Sequence, residues 1–192
     1  ETNVARFGVN VWLAIYGLTQ QLRLAQVDLG YRGPNGGEPA APDDPRFVHT
    51  VGTLFRALTL YRHTWTQGIA SPGVPFRGLR APDRTVEDEV DPGLLEAALR
   101  AGASEYQASW REIMTPDTLT QLERVLACEG SLDLSVPLWA RIVYEFATVF
   151  NKGEGDPDKV IEALLPIYYG RAASYAREVA GMTVQAREPI VR

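Results

Sequence analysis

Apolar positions along the chain recur mostly at three- and four-residue steps, which predicts helices. From Phe7 to Leu24 the stripe is Val11, Ile15, Leu18 and Leu22, with Gly17 as a weak point inside it. The next stretch, Ala25 to Gly30, alternates and stops at glycine, so it predicts a short strand. Arg32 to Pro45 is broken by Gly and Pro and predicts a loop. A clear helix follows. Asp43 or Asp44 can cap it, Pro45 suits its first turn, and Phe47, Val51, Leu54, Phe55, Leu58, Tyr61 and Trp65 form one stripe.

Gly68 to Pro92 has little apolar periodicity and much Pro, Gly and charge, which predicts a long irregular loop or linker. Asp91-Pro92 then opens a helix carrying Leu94, Leu95, Ala98 and Leu99, with Gly102 as an expected interruption before Tyr106, Trp110 and Ile113. Thr115-Pro116 starts another, facing inward with Leu119, Leu122, Val125 and Leu126 and ending by Gly130. Pro137 opens a helix with a wide apolar face, on which Arg141 and Glu145 are spaced to pair. The last helix runs from about Asp158 to Ala180. Pro166 inside it removes a hydrogen bond, and Gly170 follows within about a turn. Close helix–helix approach, with Tyr168 and Tyr169 in the core, is the structural reading of that pair. A functional kink is the other.

About six helices and one short strand near residues 25–30 make a mainly α, multi-helix chain. With 192 residues it is long enough for a real core without staples. Apolar residues at 45% and charged ones at 22% are ordinary globular composition. A net charge of −5 argues against a general nucleic-acid or anionic-membrane surface. The single cysteine, Cys128, excludes an intrachain disulfide and multi-cysteine zinc sites, and reads as a small core residue. His49 and His63, about 21 Å apart on a continuous helix, cannot share a metal. His49 reads as a surface or inter-helix hydrogen-bonding residue, with substrate binding as the alternative. No apolar run approaches the roughly 20 residues of a membrane span, and no leader is visible, so the expected compartment is the cytoplasm. The chain opens mid-pattern on Glu1, which reads as a fragment or processed chain. No phosphate-binding loop, zinc-protease or nucleophile-elbow motif is present.

Two segments carry a resemblance. Phe7-Gly8-Val9-Asn10 through Asp28-Leu29-Gly30-Tyr31-Arg32 resembles a "YGIE or YGID, helix, strand ending LGxR" segment of retaining GT-A-fold glycosyltransferases. Leu138-Trp139 to Phe146-Ala147, followed by Leu165-Pro166-Ile167-Tyr168-Tyr169-Gly170-Arg171-Ala172-Ala173-Ser174, is similar to a W-x-x-x-V-Y-[DE]-F-A and L-x-P-L-Y-x-G-R-x-A-S pattern in the same group. The group is that of the glucosyl-3-phosphoglycerate, glucosylglycerate and mannosylglycerate synthases.

The resemblance implies the C-terminal part of a GT-A α/β enzyme. Residues 1–35 would be the tail of the catalytic domain, and 36–192 a helical domain with a long loop at about 68–92. The enzyme would move a hexose from a nucleotide sugar to glycerate, 3-phosphoglycerate or a similar acid, with Mg or Mn held by an Asp-x-Asp in a half not contained here. This chain alone would hold no cofactor and no metal site. The implied substrate contacts are Asn10, at the position of the family's acid, and Arg32, at its LGxR arginine. Pro34 stands at the family's metal-binding histidine. Arg171 either binds an acceptor carboxylate or phosphate, or pairs with a carboxylate such as Glu178. The expected partners are the two substrates and a second copy of the chain, with neither nucleic acid nor membrane. The alternative is a non-catalytic all-α binding or dimerisation module.

Overall fold

The structure, a computed structural model, describes residues 7–27, 45–67, 73–79, 91–153, 155–183 and 185–187. The described chain is mainly helical, with one small parallel sheet. It forms two units, Glu1–Pro82 and Asp83–Arg192. The division lies within the predicted 68–92 loop.

The first unit contains α1 (Val9–Thr19), β1 (Gln26–Val27), α2 (Pro45–Leu60), α3 (Arg62–Thr66) and β2 (Phe76–Arg77). Helix α1 stops well before Leu24. Gln21 takes a left-handed conformation, φ 53°, while its N–H reaches Leu18 O at 3.2 Å and Leu22 N–H reaches Gly17 O at 2.9 Å. That is a Schellman-type end built on a residue other than glycine, which is why the sequence does not mark it. In α2 the buried residues are His49, Gly52, Thr53, Phe55 and Ala57; of the predicted stripe only Phe55 is fully buried, while Leu54 and, on α3, Trp65 are exposed. Thr53 Oγ1 is satisfied within the helix by His49 O at 2.8 Å. The cap expected at Asp43 or Asp44 lies outside the described residues.

β1 and β2 pair in parallel, Gln26 opposite Phe76 and Val27 opposite Arg77, with α2 and α3 in the connection. The segment read as loop therefore contributes a strand. Its two residues are too short for an alternation signal.

The second unit contains α4 (Pro92–Ile113), α5 (Pro116–Leu126), α6 (Val136–Lys152) and α7 (Pro157–Glu178). Asp91, Thr115 and Asp156 cap α4, α5 and α7 through their side chains, each followed by a proline in the first turn. The C-terminal end of α5 is closed from α4: Arg100 donates to Leu126 O at 2.6 Å and to Cys128 O at 2.9 Å. Cys128 itself is exposed, not a core residue. After α7, residues 185–187 form a helical turn.

The core lies between α4 and α7, with α6 against α7. Gly102 does not interrupt α4; it makes the contact possible. A Cβ there would stand 2.3 Å from the Pro166 ring, and one at Gly170 would stand 2.4 Å from Leu99 Cδ2. Close approach is thus the reason for the glycines. Tyr168 is nonetheless exposed and Tyr169 half-buried, because the side of α7 facing α4 carries small residues instead. Pro166 cannot donate to the carbonyl one turn back. One residue on from the carbonyl that Pro166 leaves without its ladder donor, Trp110 Nε1 donates to Ala163 O at 2.8 Å, which ties α4 to α7 beside the interruption.

Candidate functional site

The sequence-derived site residues divide between the two units. In the first, Asn10 lies on α1 with its side chain exposed to solvent. His49 lies on α2 and is buried, its ring stacked on Phe7 with centroids 5.8 Å apart and planes 14° from parallel. The Phe7 that opens the first resembling segment thus packs against the histidine ring. Arg32 and Pro34 lie outside the described residues.

In the second unit Arg171 is buried on α7. Its guanidinium donates to both carboxylate oxygens of Glu178, at 2.7 and 2.8 Å, and to Leu134 O at 3.3 Å. Of the two partners the sequence leaves open, the structure shows Glu178. The guanidinium holds the Glu178 carboxyl below the usual carboxylate range by hydrogen bonding, against a smaller opposing effect of burial. One turn on, Ser174 Oγ accepts from Leu134 N–H at 2.9 Å and faces Gly170 O at 3.0 Å. Arg177 pairs with Glu96 of α4, and Glu96 Oε1 accepts from Leu132 N–H at 3.0 Å. Side chains of α7 and α4 therefore satisfy the backbone of Leu132 and Leu134, both fully buried. The R-x-x-S part of the second resembling segment is the clamp on this stretch.

Arg141 and Glu145 do not pair with each other. Arg141 reaches Asp117 of α5 at 2.8 Å. Glu145 accepts from Thr115 N–H at 3.0 Å, Thr115 Oγ1 at 2.9 Å and Thr118 Oγ1 at 2.8 Å. Partners across the helix interface offer a fixed hydrogen-bonding cap, which an exposed helical pair cannot match. Only the Thr-Pro-Asp-Thr start of α5 hints at this in the sequence.

A cleft of about 320 Å³ opens in the second unit, between the end of α4, the end of α6 and the start of α7. Lys152 and Lys159 both line it. Among the described residues no group of three or more His, Cys, Asp or Glu side chains is placed to hold a metal ion. No helix of the described residues is long and apolar enough to cross a membrane. No protein-family model matches the chain, and neither a curated protein nor a solved structure matches it.

Proposed function

We propose that this chain is the C-terminal region of a GT-A-fold glycosyltransferase that moves a hexose from a nucleotide sugar to glycerate, 3-phosphoglycerate or a similar small acid. The observation that carries the reading is the make-up of the first unit. Its two strands are parallel and two residues long, and parallel sheets are found with both faces covered by helices. An isolated two-stranded pair of that size has little stability of its own. Alongside it, α1 is apolar around much of its circumference, with Val9, Leu13, Tyr16 and Leu18 exposed and only Gly17 buried. Such a helix belongs inside a larger α/β layer. The unit therefore has the character of the edge of a parallel-sheet domain, and the two resembling segments point to the same class.

In this reading Asn10 meets the sugar through a neutral carboxamide, which can orient a hydroxyl but cannot act as a base. Arg32 supplies the charge for an acid or phosphate. The divalent ion of the full enzyme neutralises the leaving diphosphate. Its ligands belong to the Asp-x-Asp half, since the side chain of Pro34 cannot ligate. Arg171 acts by fixing residues 132–134, so that the second unit presents one rigid surface.

The replacement of the family's acid by Asn10 and of its histidine by Pro34 favours a second reading, a non-catalytic helical module that binds or dimerises. One experiment separates the two. The natural gene product is isolated, its intact mass is measured, and it is assayed for release of nucleoside diphosphate from a panel of nucleotide sugars with glycerate or 3-phosphoglycerate. A longer chain with Asp-x-Asp and acceptor-dependent release supports the transferase. A natural start at or near Glu1, or a full chain that transfers nothing, overturns it in favour of the module.

A further inference from the structure

Residues 131–135, between α5 and α6, alternate in burial: Leu132 and Leu134 are buried, while Ser131, Asp133 and Ser135 are exposed. A period of two is that of an extended chain, and Ser135 is extended, φ −59° and ψ 150°. The hydrogen bonding alternates as well. Leu132 N–H donates to Glu96 Oε1, and Leu132 O accepts from Ser174 Oγ and from an Arg177 N–H, each at 3.3 Å. Leu134 N–H donates to Ser174 Oγ, and Leu134 O accepts from Arg171. On this edge, side chains of α4 and α7 stand where a neighbouring strand would. In an extended chain the residues between point their backbone groups to the opposite edge. There, Asp133 N–H and C=O and the N–H groups of Ser131 and Ser135 meet no partner among the described residues. Water satisfies such an edge until another chain pairs with it. Held by its other edge and by two buried leucines, the stretch has little freedom left to lose on pairing.

We propose that residues 131–135 are a docking edge for an extended basic peptide, added as a strand beside Asp133. One residue of the peptide exchanges both backbone hydrogen bonds with Asp133, which sets its side chain beside the Asp133 carboxylate. Charge selects that residue. Asp133 forms no ion pair among the described residues, and Arg171, whose charge it supports from a distance, is held by both oxygens of Glu178. A lysine or arginine therefore suits the position opposite. A second copy of this chain suits it poorly. In the antiparallel register that uses Ser131, Asp133 and Ser135 together, Asp133 would face Asp133, and like charges directly opposite destabilise a pair. Helix α6 begins at Val136, so the edge is short and a peptide of similar length fills it. The site is separate from the transferase reading and stands or falls without it.

Amide spectra of the full chain labelled with nitrogen-15 test it. The probe is the blocked peptide acetyl-Thr-Val-Lys-Val-Thr-amide, titrated into the millimolar range. One control is the same peptide methylated at the backbone nitrogen of its lysine, which removes the central donor. The other carries glutamate in place of lysine. The expected result is saturable movement of the Asp133 amide, with slower hydrogen exchange there; the Leu132 and Leu134 amides are protected already without peptide. The methylated peptide should bind about fivefold more weakly, the effect of one hydrogen bond. The glutamate peptide should also bind about fivefold more weakly, the effect of exchanging an attractive cross-strand pair for a repulsive one. Asp133→Asn should erase the preference for lysine and keep the effect of methylation, and Asp133→Lys should reverse the preference. No movement of the Asp133 amide, or equal binding of the methylated peptide, overturns the docking edge. A preference for lysine that survives in Asp133→Asn overturns the basic partner.

Discussion

Arg171 and Glu178 are joined by two parallel hydrogen bonds across seven residues of α7, at 2.7 and 2.8 Å. The span is two helical turns, so only a long planar fork can bridge it. Arg171→Met leaves the carboxylate and Leu134 O without their donor and is expected to cost about 2–3 kcal/mol. Arg171→Lys keeps the charge but loses the fork and should recover less than half of that. Urea midpoints of the three proteins check the order.

The same pair has a pH signature. Because the Glu178 carboxyl is held below the usual range in the folded protein, the unfolded chain binds its proton more tightly. The stability it contributes is complete above the ordinary glutamate value of about 4.3 and is lost as pH falls through the lower, folded value. The carboxylate is partly open to water, side chain 35% exposed, so about 1 kcal/mol is the expected size after screening. Glu178→Gln should flatten that part of the acid limb, and urea midpoints measured from pH 7 to pH 3 would reveal it. An unchanged slope would sink this assignment.

The contact of α4 with α7 predicts an asymmetry between two glycines. Gly102→Ala puts a methyl group against the rigid ring of Pro166, whereas Gly170→Ala meets the end of the Leu99 side chain. Both overpack the core, at about 1–3 kcal/mol, with Gly102→Ala at the upper end or beyond. Gly130→Ala, with nothing within 4 Å, is the control and should stay within about 0.5 kcal/mol. Thermal melts rank the three.

Trp110→Phe keeps most of the buried ring but removes the indole hydrogen bond to Ala163 O, next to a proline that has already interrupted the ladder. A loss of about 0.5–1.5 kcal/mol is expected from that hydrogen bond. Amide exchange should quicken around Ile167 and Tyr168 before it quickens in α6.

At the end of α1, Gln21 holds a left-handed conformation that favours glycine. Gln21→Gly is therefore expected to stabilise the first unit by up to about 1 kcal/mol. A lower melting temperature would contradict the Schellman-type ending.

The helices of the second unit were legible because three of their starts are written as a capping side chain before proline, at Asp91, Thr115 and Asp156. Helical period located α2 but misjudged its buried arc, because small residues such as Gly52 and Ala57 bury without contributing to a hydrophobic stripe. β2 was illegible because a two-residue parallel strand draws on a partner about fifty positions away. At the candidate sites, Glu178 could be named for Arg171 from spacing within one helix. The partners of Arg141 and Glu145 could not, because they are set by how α5 meets α6. Lys152 and Lys159 are visible in the sequence only as a rarity; that they line one cleft is a property of the fold.

Trp110 and Ala163 are 53 positions apart, yet the indole N–H of the first finds its acceptor on the second. On a growing chain α4 is made first and lacks its main packing partner until Pro166 and Gly170 emerge. The core of this unit therefore closes late, after α5 and α6 are already available. A chain ended before α7 would leave Leu99 and Trp110 facing water, and it should be held by chaperones or removed by proteases rather than accumulate as a shorter folded form.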